Sequence, residues 1–346
     1  MTGAALNHTA PDRYAVVVTS INAPTRAVAQ IAREADRLGA HFIVIGDKKS
    51  PLDFFQAGAD FLDIDAQSAT GFLLAGITPL NHYARKNIGY LAAISAGATI
   101  IIETDDDNLP LPAFWQPRQL HLTGTLVHDA GWLNVYRYFT PSLIWPRGLP
   151  LDAVHGSLPG AAADITVACP IQQALADGDP DVDAIYRLLM PLPIVFEDRA
   201  PVLLAGGTWC PFNSQNTTWW RQAFPLLYLP SYCSFRMTDI WRSFVAQRIA
   251  AVNGWGIAFN KSTVFQERNE HNLMRDFEDE VPGYVANRAI MTRLEALDLS
   301  KGEADIPENM RTCYGALIEM GIVGSEEATL LDAWLSDLES LDRIAL

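Results

Sequence analysis

The stretch that most constrains the fold is 98–108, which reads A-T-I-I-I-E-T-D-D-D-N. Residues 99–102 are β-branched and show no polar alternation. This pattern is typical of a strand buried on both faces, as in the middle of a parallel sheet. We therefore expect its carboxyl end, with its block of acids, to lie where open α/β sheets bind ligands.

The acid block comprises Glu103, Asp105, Asp106 and Asp107. Carboxylates placed together at a strand end repel one another and lose hydration, so they favour a compensating cation. Oxygen ligands suit a hard ion such as Mg²⁺ or Mn²⁺. The alternatives are an acidic turn in solvent, or an aspartyl-phosphate hydrolase. The latter requires a Thr-rich loop after its Asp, and here 109–112 reads L-P-L-P.

The length of 346 residues suits two domains, or one large α/β domain with an appended part. The content of 49% hydrophobic and 19% charged residues is ordinary for a globular protein. A formal net charge of −15 argues against non-specific binding to nucleic acid or to an anionic membrane. We therefore expect a small-molecule partner.

No apolar run approaches the roughly 18 to 20 residues needed to span a bilayer, and 1–11 lacks the apolar core of a signal peptide. A cytoplasmic protein without a transmembrane segment is the simplest expectation. The four cysteines are widely separated and match neither zinc spacing nor a disulfide framework, so we interpret them as buried or free thiols.

The first hundred residues alternate between strand and helix patterns, which predicts a parallel sheet with right-handed crossovers. The last helix of this series would begin near Asn81, and Arg85 and Lys86 lie in its early turns. Cations there can meet a diphosphate, although they can also be solvated charges on a surface helix. The predicted elements are strand 14–20, helix 26–38, strand 41–45, a weaker strand 61–64, and helix 81–96 closed by Gly97.

This order resembles the first half of a GT-A glycosyltransferase, whose common form is A-R-N-x-G, then A-x-G, then D-x-D-D. Here 84–89 reads A-R-K-N-I-G, 96–97 reads A-G, and 103–106 reads E-T-D-D. One Lys is inserted and the first acid is Glu, so either Glu103 with Asp105 or Asp105 with Asp107 can be the metal-binding pair. We favour Asp105 and Asp107. The resemblance implies an α/β GT-A (Rossmann-like) fold, with a mainly parallel sheet flanked by helices and a C-terminal helical extension.

Nine segments in the same order, within 14–285, resemble the STELLO-like glycosyltransferases. A more distant likeness is to the reversibly glycosylated polypeptides, which include UDP-arabinopyranose mutases. Plant STELLO members carry a membrane anchor, which this sequence does not show, so their Golgi setting is not expected here. The segments are VVTSINAPT (17–25), IGDKKSP (45–51), HYARKNIGY (82–90), NVYRYF (134–139), WPRGLPL (145–151), DVDAIYRL (181–188), PFNSQNT (211–217), RMTDIWRS (236–243) and QERNEHNLMRDF (266–277).

The resemblance implies roles for residues of the donor and metal sites. Asp105 and Asp107 would hold Mn²⁺ or Mg²⁺, joined by His271 from a polar loop at 266–280 that closes over the donor. His271 in such a charged run can instead be a surface residue. Residues expected to bind the nucleotide and donor are Thr19, Ser20, Asn22, Asp47, Lys48, Arg85, Lys86, Asp106 and Arg268.

Asp239 occupies the place in the chain where inverting GT-A enzymes carry their general base, at the start of a helix beneath the acceptor. Such a base contributes typically about 10² to 10⁴ in rate when it reaches the acceptor hydroxyl. Asp239 can instead be only the N-cap of helix 240–251, and it loses the base role if the reaction retains configuration.

Polar side chains later in the chain suit sugar recognition. Asp181 and Asp183 can accept hydrogen bonds from sugar hydroxyls, or cap a helix at 184–189. Asn213, Gln215 and Asn216 lie between aromatic residues, which suits an acceptor or sugar pocket but also describes a polar turn. Arg147 in the W-P-R-G stretch can meet a phosphate or sugar acid, or can simply pack.

The rest of the chain is expected to contribute strands at 134–140 and 163–170 and helices at 286–297, 307–320 and 326–341. The apolar stripe of the last helix would dock on the main domain or on a second subunit, giving a homodimer. We expect a flexible segment at 1–12, a GT-A domain for nucleotide-sugar and acceptor at 13–265, and a donor-closing and helical region at 266–346.

The expected function is a metal-dependent glycosyltransferase that moves a sugar from a nucleotide-diphosphate sugar, with UDP favoured, to a hydroxyl of a carbohydrate or glycoconjugate, with inversion. The alternatives are a nucleotide-sugar mutase that needs no external acceptor, and a non-catalytic scaffold protein that binds sugar nucleotides.

Overall fold

The computed structural model describes residues 12–159, 162–267 and 272–344. Its strands are β1 (Tyr14–Thr19), β2 (His41–Ile45), β3 (Asp60–Leu62), β4 (Ile100–Thr104), β5 (Asn108–Pro110), β6 (His121–Val127), β7 (Gly131–Trp132), β8 (Ala162–Ala168), β9 (Ile171–Gly178), β10 (Val202–Leu204), β11 (Thr208–Trp209), β12 (Asn216–Trp220) and β13 (Ile257–Gln266). Its helices are α1 (Arg26–Leu38), α2 (Ile64–Ala69), α3 (Leu73–Ile77), α4 (Lys86–Ser95), α5 (Ala184–Leu189), α6 (Thr238–Asn253), α7 (Leu273–Glu295), α8 (Ile306–Glu319) and α9 (Glu327–Ile344).

One mixed sheet organises the fold, with strand order β3-β2-β1-β4-β12-β9-β13-β10-β6-β8 and with β5 paired to β13. The strands from β3 to β4 are parallel, as their alternation with helices predicts. β12 runs antiparallel between β4 and β9. With helices flanking the sheet and three more at the carboxyl end, this is the expected α/β, GT-A-like architecture.

β4 carries the acid block and is buried along its whole length. It pairs parallel with β1 and antiparallel with β12. The predicted strand buried on both faces is confirmed, although one of its neighbours is antiparallel. It extends past the apolar run because Glu103 and Thr104 continue the ladder with Thr217 and Asn216.

Local capping explains why α1 matches the predicted helix 26–38 residue for residue. The Thr25 side chain accepts a hydrogen bond from Val28 N at the helix start. Gly39 ends the helix in the left-handed conformation, with φ of 68°. The apolar face packs on the sheet through Ala27, Val28, Ile31, Ala32 and Ala35.

Close packing sets α4 against β1 and β2. A Cβ on Gly89 would lie 2.7 Å from Val17 Cγ1 and 2.8 Å from Ile45 Cγ1, so only glycine allows this approach. The sequence predicted a helix start near Asn81, but the helix begins at Lys86. Asn81 has a positive φ of 53°, and the residues between form a 3₁₀ turn.

Two other predictions of secondary structure are wrong. Residues 134–140 form a 3₁₀ turn at Val135–Tyr138 rather than a strand, because Asn134 donates hydrogen bonds to the carbonyls of Ile144 and Val154 and pins a loop. The polar run after 266 is partly helical, since α7 begins at Leu273 and continues through Pro282.

Tertiary contacts of Glu280 hold this amino-terminal half of α7 in place. Its buried carboxylate accepts hydrogen bonds from Ala184 N (2.7 Å), Arg236 Nη2 (2.8 Å) and the Tyr284 hydroxyl (2.7 Å). The helix is therefore stabilised across Pro282 by contacts that local sequence does not reveal.

The last helix packs on the body of the same chain. Trp334 is fully buried and its Nε1 donates to the carbonyl of Pro225 at 2.9 Å. Asp337 accepts from Leu73 N and Leu74 N at 2.9 and 3.0 Å. The apolar stripe thus docks within the chain, and a homodimer stays a prediction.

Across the described ranges, none of the helices combines the length and apolarity that crossing a membrane requires. The four cysteines are free thiols, three of them buried, as expected.

Candidate functional site

Glu103, the first acid of the block, belongs to the protein interior. It is fully buried and accepts hydrogen bonds from Trp219 Nε1 (2.8 Å), Arg242 Nη1 (2.9 Å) and the Tyr90 hydroxyl. Both of its oxygens are therefore engaged within the core.

The other three acids, Asp105, Asp106 and Asp107, line a cavity of about 290 Å³ at the end of β4. Of the two frames considered for a metal-binding pair, Asp105 with Asp107 presents two carboxylates to this cavity. The frame that uses Glu103 presents only one.

Asp106 ties the acid block to the end of β1. Its Oδ2 accepts hydrogen bonds from Ser20 Oγ at 2.5 Å and from Asn22 Nδ2 at 3.0 Å. Its carbonyl accepts from the hydroxyl of Thr25, the cap of α1. Asp106 thereby fixes the turn from which its two neighbours project.

Asp105 forms an ion pair with the buried ammonium of Lys86. Lys86 Nζ donates to Asp105 Oδ1 at 3.2 Å, and to the carbonyls of Thr104 at 2.8 Å and Ser214 at 3.4 Å. Burial raises the pKa of Asp105 to about 7; Lys86 opposes this rise and the charge of Asp107 adds to it. One buried ammonium does not fully offset the crowding of these carboxylates.

Asp107 is positioned by the end of β13. Gln266 Nε2 donates to its Oδ1 and Oδ2 at 3.3 and 3.2 Å. Gln266 in turn accepts from the side-chain amide of Gln215, which also lines the cavity.

The opposite wall holds two carboxylates joined by one guanidinium. Arg147 donates to Asp181 from Nη2 at 2.7 Å, and to Asp239 from Nη1 and Nη2 at 3.0 Å each. Ser214 N donates to Asp239 Oδ2 at 3.2 Å. The three side chains are about 95% buried, so Asp239 is held in one orientation at the start of α6.

The cavity carries an excess of negative charge. Five carboxylates line it, against the guanidinium groups of Arg147 and Arg236, with Lys86 behind Asp105. Arg236 is itself paired with Glu280 at 2.8 Å. A diphosphate entering this space would be repelled unless a cation came with it.

A second cavity of about 780 Å³ adjoins the first beyond the ends of β1 and β2. Phe235 lies at their boundary, is 51% exposed, and makes edge contacts with His82 and Tyr83. The residues that line both cavities are Thr19, Tyr83, Asp106, Phe235 and Arg236.

Comparison with known proteins also finds a similarity to the STELLO glycosyltransferases. The sequence profile of the STELLO glycosyltransferases matches residues 236–344, which begin at the boundary of the two cavities and include Asp239. The resemblance to the STELLO glycosyltransferases is confirmed.

Two relatives come from Arabidopsis thaliana. "Probable glycosyltransferase STELLO2" is 28% identical over 322 residues, which is 87% of this chain and 41% of that protein. "Probable glycosyltransferase STELLO1" is 29% identical over 345 residues, which is 93% of this chain and 44% of that protein. The chain thus spans about two fifths of the length of these curated relatives.

In this STELLO-like chain the larger cavity gathers most residues expected at the donor site: Thr19, Ser20, Asn22, Asp47, Arg85 and Asp106. Asp47 accepts from Asn81 N (2.8 Å) and His82 N (2.9 Å), so it also shapes the wall. Lys48 is exposed in the adjacent turn, and Lys49 lines the cavity in its place.

The two cations at the start of α4 are not solvated surface charges. Arg85 is 2% exposed and donates to Gln67 Oε1 at 2.8 Å and to the carbonyl of Thr78 at 3.0 Å. Lys86 is fully buried. Lys86 therefore adds positive charge behind Asp105, whereas Arg85 adds it at the wall of the larger cavity.

The residues expected to bind sugar or acceptor separate into two groups. Asp181 and Gln215 line the smaller cavity. Asp183 is the cap of α5, accepting from Tyr186 N and Trp145 Nε1 at 2.7 Å each. The buried side chains of Asn213 and Asn216 make hydrogen bonds within the protein, to Gln215 N, and to the carbonyl of Leu175 and Thr263 Oγ1.

Arg268 and His271, expected at the donor and metal sites, lie outside the described residues. The structure adds Tyr83, Phe235, Arg236 and Gln266 to the cavity wall. Arg236 and Gln266 begin two of the STELLO-like segments, which is the signal that could have identified them.

Proposed function

We propose that this protein transfers a sugar from a nucleotide-diphosphate sugar, with UDP favoured, to a hydroxyl of a carbohydrate or glycoconjugate acceptor, with inversion and with the aid of Mn²⁺ or Mg²⁺. One observation carries the proposal. Asp105 and Asp107 face Asp239 across a single cavity, which opens into a larger one at the ends of β1 and β2.

The side chains present fit a hard divalent cation. Asp105 and Asp107 offer carboxylate oxygens, and the raised pKa of Asp105 reflects a carboxylate that lacks full compensation. Within the described ranges, no group of three or more His, Cys, Asp or Glu side chains is arranged around one metal position. Two carboxylates with donor phosphates as further ligands is the usual arrangement for Mg²⁺.

A bound cation would offset the negative charge that develops on the departing diphosphate. The chain itself supplies the other groups. Asp239 would accept the proton of the acceptor hydroxyl, and Arg147 and Ser214 N keep its carboxylate aimed at the cavity. Lys86, behind Asp105, would add positive charge next to the donor phosphates.

The larger cavity would receive the nucleoside. Its volume of about 780 Å³ is in the range of ligand pockets, and Ser20 and Asn22 bring hydroxyl and amide groups to its wall. The exposed ring of Phe235 at the boundary offers a flat apolar surface to a base or a sugar.

The metal assignment is tested by Asp107→Ala, with Asp342→Ala as the control because Asp342 is an acid 70% exposed on α9. Isothermal titration with UDP is run with and without MnCl₂. We expect the wild type and the control to bind UDP more tightly with Mn²⁺, and Asp107→Ala to lose this dependence with its melting temperature nearly unchanged. An Asp107→Ala protein that binds UDP with Mn²⁺ as tightly as wild type would contradict the assignment.

Product analysis separates transfer from the alternatives. A transferase releases UDP faster when an acceptor is present, whereas a mutase isomerises the UDP-sugar without acceptor. A scaffold protein binds UDP and turns over neither. Loss of turnover in Asp239→Asn, with UDP binding retained, is expected for the proposed base.

A further inference from the structure

The sheet has a second polar face outside the candidate active site. Adjacent residues of a strand point to opposite faces. Gln173 on β9 accepts from Asn213 N at 2.9 Å and from Thr217 Oγ1 at 3.0 Å, on the side of the cavity loop. Its neighbour Gln172, together with Thr218 on β12, instead lines a separate cavity of about 390 Å³.

Arg118 provides the charge of this cavity without an acidic partner. Its Nε donates to Thr218 Oγ1 at 3.0 Å and its Nη1 to the carbonyl of Gln116 at 3.1 Å. The guanidinium carbon lies 5.4 Å from the centre of the Phe114 ring. Over the described ranges, no carboxylate lies within ion-pairing distance of it. Arg118 is half-buried, and a guanidinium in this setting without a counter-charge can hold an oxyanion through paired N–H donors.

Two further cations stand on the rim of the same cavity. Lys261 Nζ lies 2.6 Å from Asp198, whose carboxylate is 75% exposed, and Arg199 pairs with the exposed Glu197. Exposed pairs of this kind contribute little and give way readily to another anion. The lining thus holds three cations and one acid in a chain whose net charge is −15.

The remaining lining defines the body of the ligand. It combines five apolar side chains with six amides and hydroxyls, so it suits a ligand that has both hydroxyl groups and C–H faces, as a sugar does. The volume of about 390 Å³ admits one small molecule. The amides and hydroxyls are those of Gln116, Gln119, Gln172, Asn260, Thr218 and Thr263.

The geometry points to a second binding site, for a small hydroxylated oxyanion of the sugar-phosphate class. Arg118 and Lys261 would hold this ligand, on the face of the sheet opposite to the one that carries Gln173 and the acid block. This site is independent of the proposed transferase function. It would bind its ligand without a divalent cation, because its own side chains already supply positive charge.

The test is titration of the whole chain with inorganic phosphate and with glucose 6-phosphate, in the absence of divalent metal. We expect glucose 6-phosphate to bind, and more tightly than phosphate. Arg118→Gln should weaken its binding about tenfold, the scale of one hydrogen bond to a charged group. Lys261→Gln should weaken it about threefold, since this side chain is 39% exposed and its charge is screened.

Two controls keep the outcome decisive. Arg33→Gln removes an arginine 72% exposed on α1 and should leave binding unchanged. Asp107→Ala should also leave it unchanged, so that failure of the active-site assignment is distinguishable. Lys261 is a surface residue, so its variant folds even if Arg118→Gln does not. The inference is overturned if glucose 6-phosphate does not bind at millimolar concentration, or if Lys261→Gln binds it as tightly as wild type.

Discussion

Asp181 and Asp183 stand two residues apart and look alike in the sequence, yet their surroundings differ. Asp181 faces the cavity and pairs with Arg147. Asp183 is fully buried and accepts hydrogen bonds from Tyr186 N and Trp145 Nε1. Burial raises the pKa of Asp183 from 3.8 to about 6. Its charge is therefore a cost to the fold at neutral pH.

The raised pKa makes stability depend on pH through Asp183. The folded state binds this proton more tightly than the unfolded state, so the free energy of unfolding falls as pH rises from about 4 to about 6. Asp183→Asn has no proton to lose and keeps an oxygen that can cap Tyr186 N. Relative to wild type, its free energy of unfolding should rise by up to about 3 kcal/mol over that interval.

Urea denaturation across this pH interval measures the difference. Asp63→Asn is the matched control, because Asp63 caps α2 in the same way, through Ala66 N, but is exposed. The differences of the two variants from wild type are compared at each pH. A constant difference for Asp183→Asn would show that burial of this carboxyl does not control its protonation.

At the scale of elements, one buried ion pair joins β4 to α6. Arg242 Nη2 lies 2.8 Å from Glu103 Oε1, and both side chains are almost wholly buried. Arg242 stands one turn after Asp239 on α6, and Glu103 stands two residues before Asp105 on β4. The pair therefore fixes the distance between the two walls of the cavity.

Glu103→Gln should destabilise the protein by about 3 to 5 kcal/mol, because it leaves the Arg242 guanidinium buried without a counter-charge. Chemical denaturation measures the loss. The comparison is Asp332→Asn, which breaks the exposed contact of Arg311 with Asp332 between α8 and α9 and should cost less than about 1 kcal/mol. Equal losses in the two variants would rule out a structural role for the buried pair.

At the scale of the whole molecule, buried apolar side chains from Ala15 on β1 to Leu335 on α9 form one continuous cluster. The division of the chain near residue 265 stays a prediction. Because α9 packs on α3 and α4 near the amino-terminal part of the sheet, we expect the carboxyl-terminal helices to unfold together with the sheet.

Trp334→Ala tests this expectation. Loss of a fully buried Trp should cost about 3 to 5 kcal/mol and lower the unfolding transition of the whole chain. Far-UV circular dichroism and tryptophan fluorescence should report the same midpoint. Val285→Ala, at a side chain 79% exposed on α7, should change stability by no more than about 0.5 kcal/mol. A separate early transition in Trp334→Ala would instead support an independent carboxyl-terminal domain.

Local patterns predicted much of the fold. The order of the strands up to β4, the bounds of α1 and α5, and the acid block at a buried strand end all follow from short-range rules, whereas the short helices α2 and α3 were not predicted. The caps Thr25 and Asp183 act on residues only three positions away, and the β-branched residues of β4 are consecutive in the sequence. Such features need no knowledge of distant residues.

Contacts between distant segments decided the rest. Glu103 faces the interior because Arg242, 139 residues later in the chain, donates a hydrogen bond to it. Asp239 faces the cavity because Arg147 donates hydrogen bonds to its carboxylate. α7 passes through Pro282 because Glu280 bonds to α5. The sequence by itself determined which chemical groups the site contains. Only the tertiary structure decided which of them face the cavity, because the free energy of burying a charge depends on the partner that the fold brings to it.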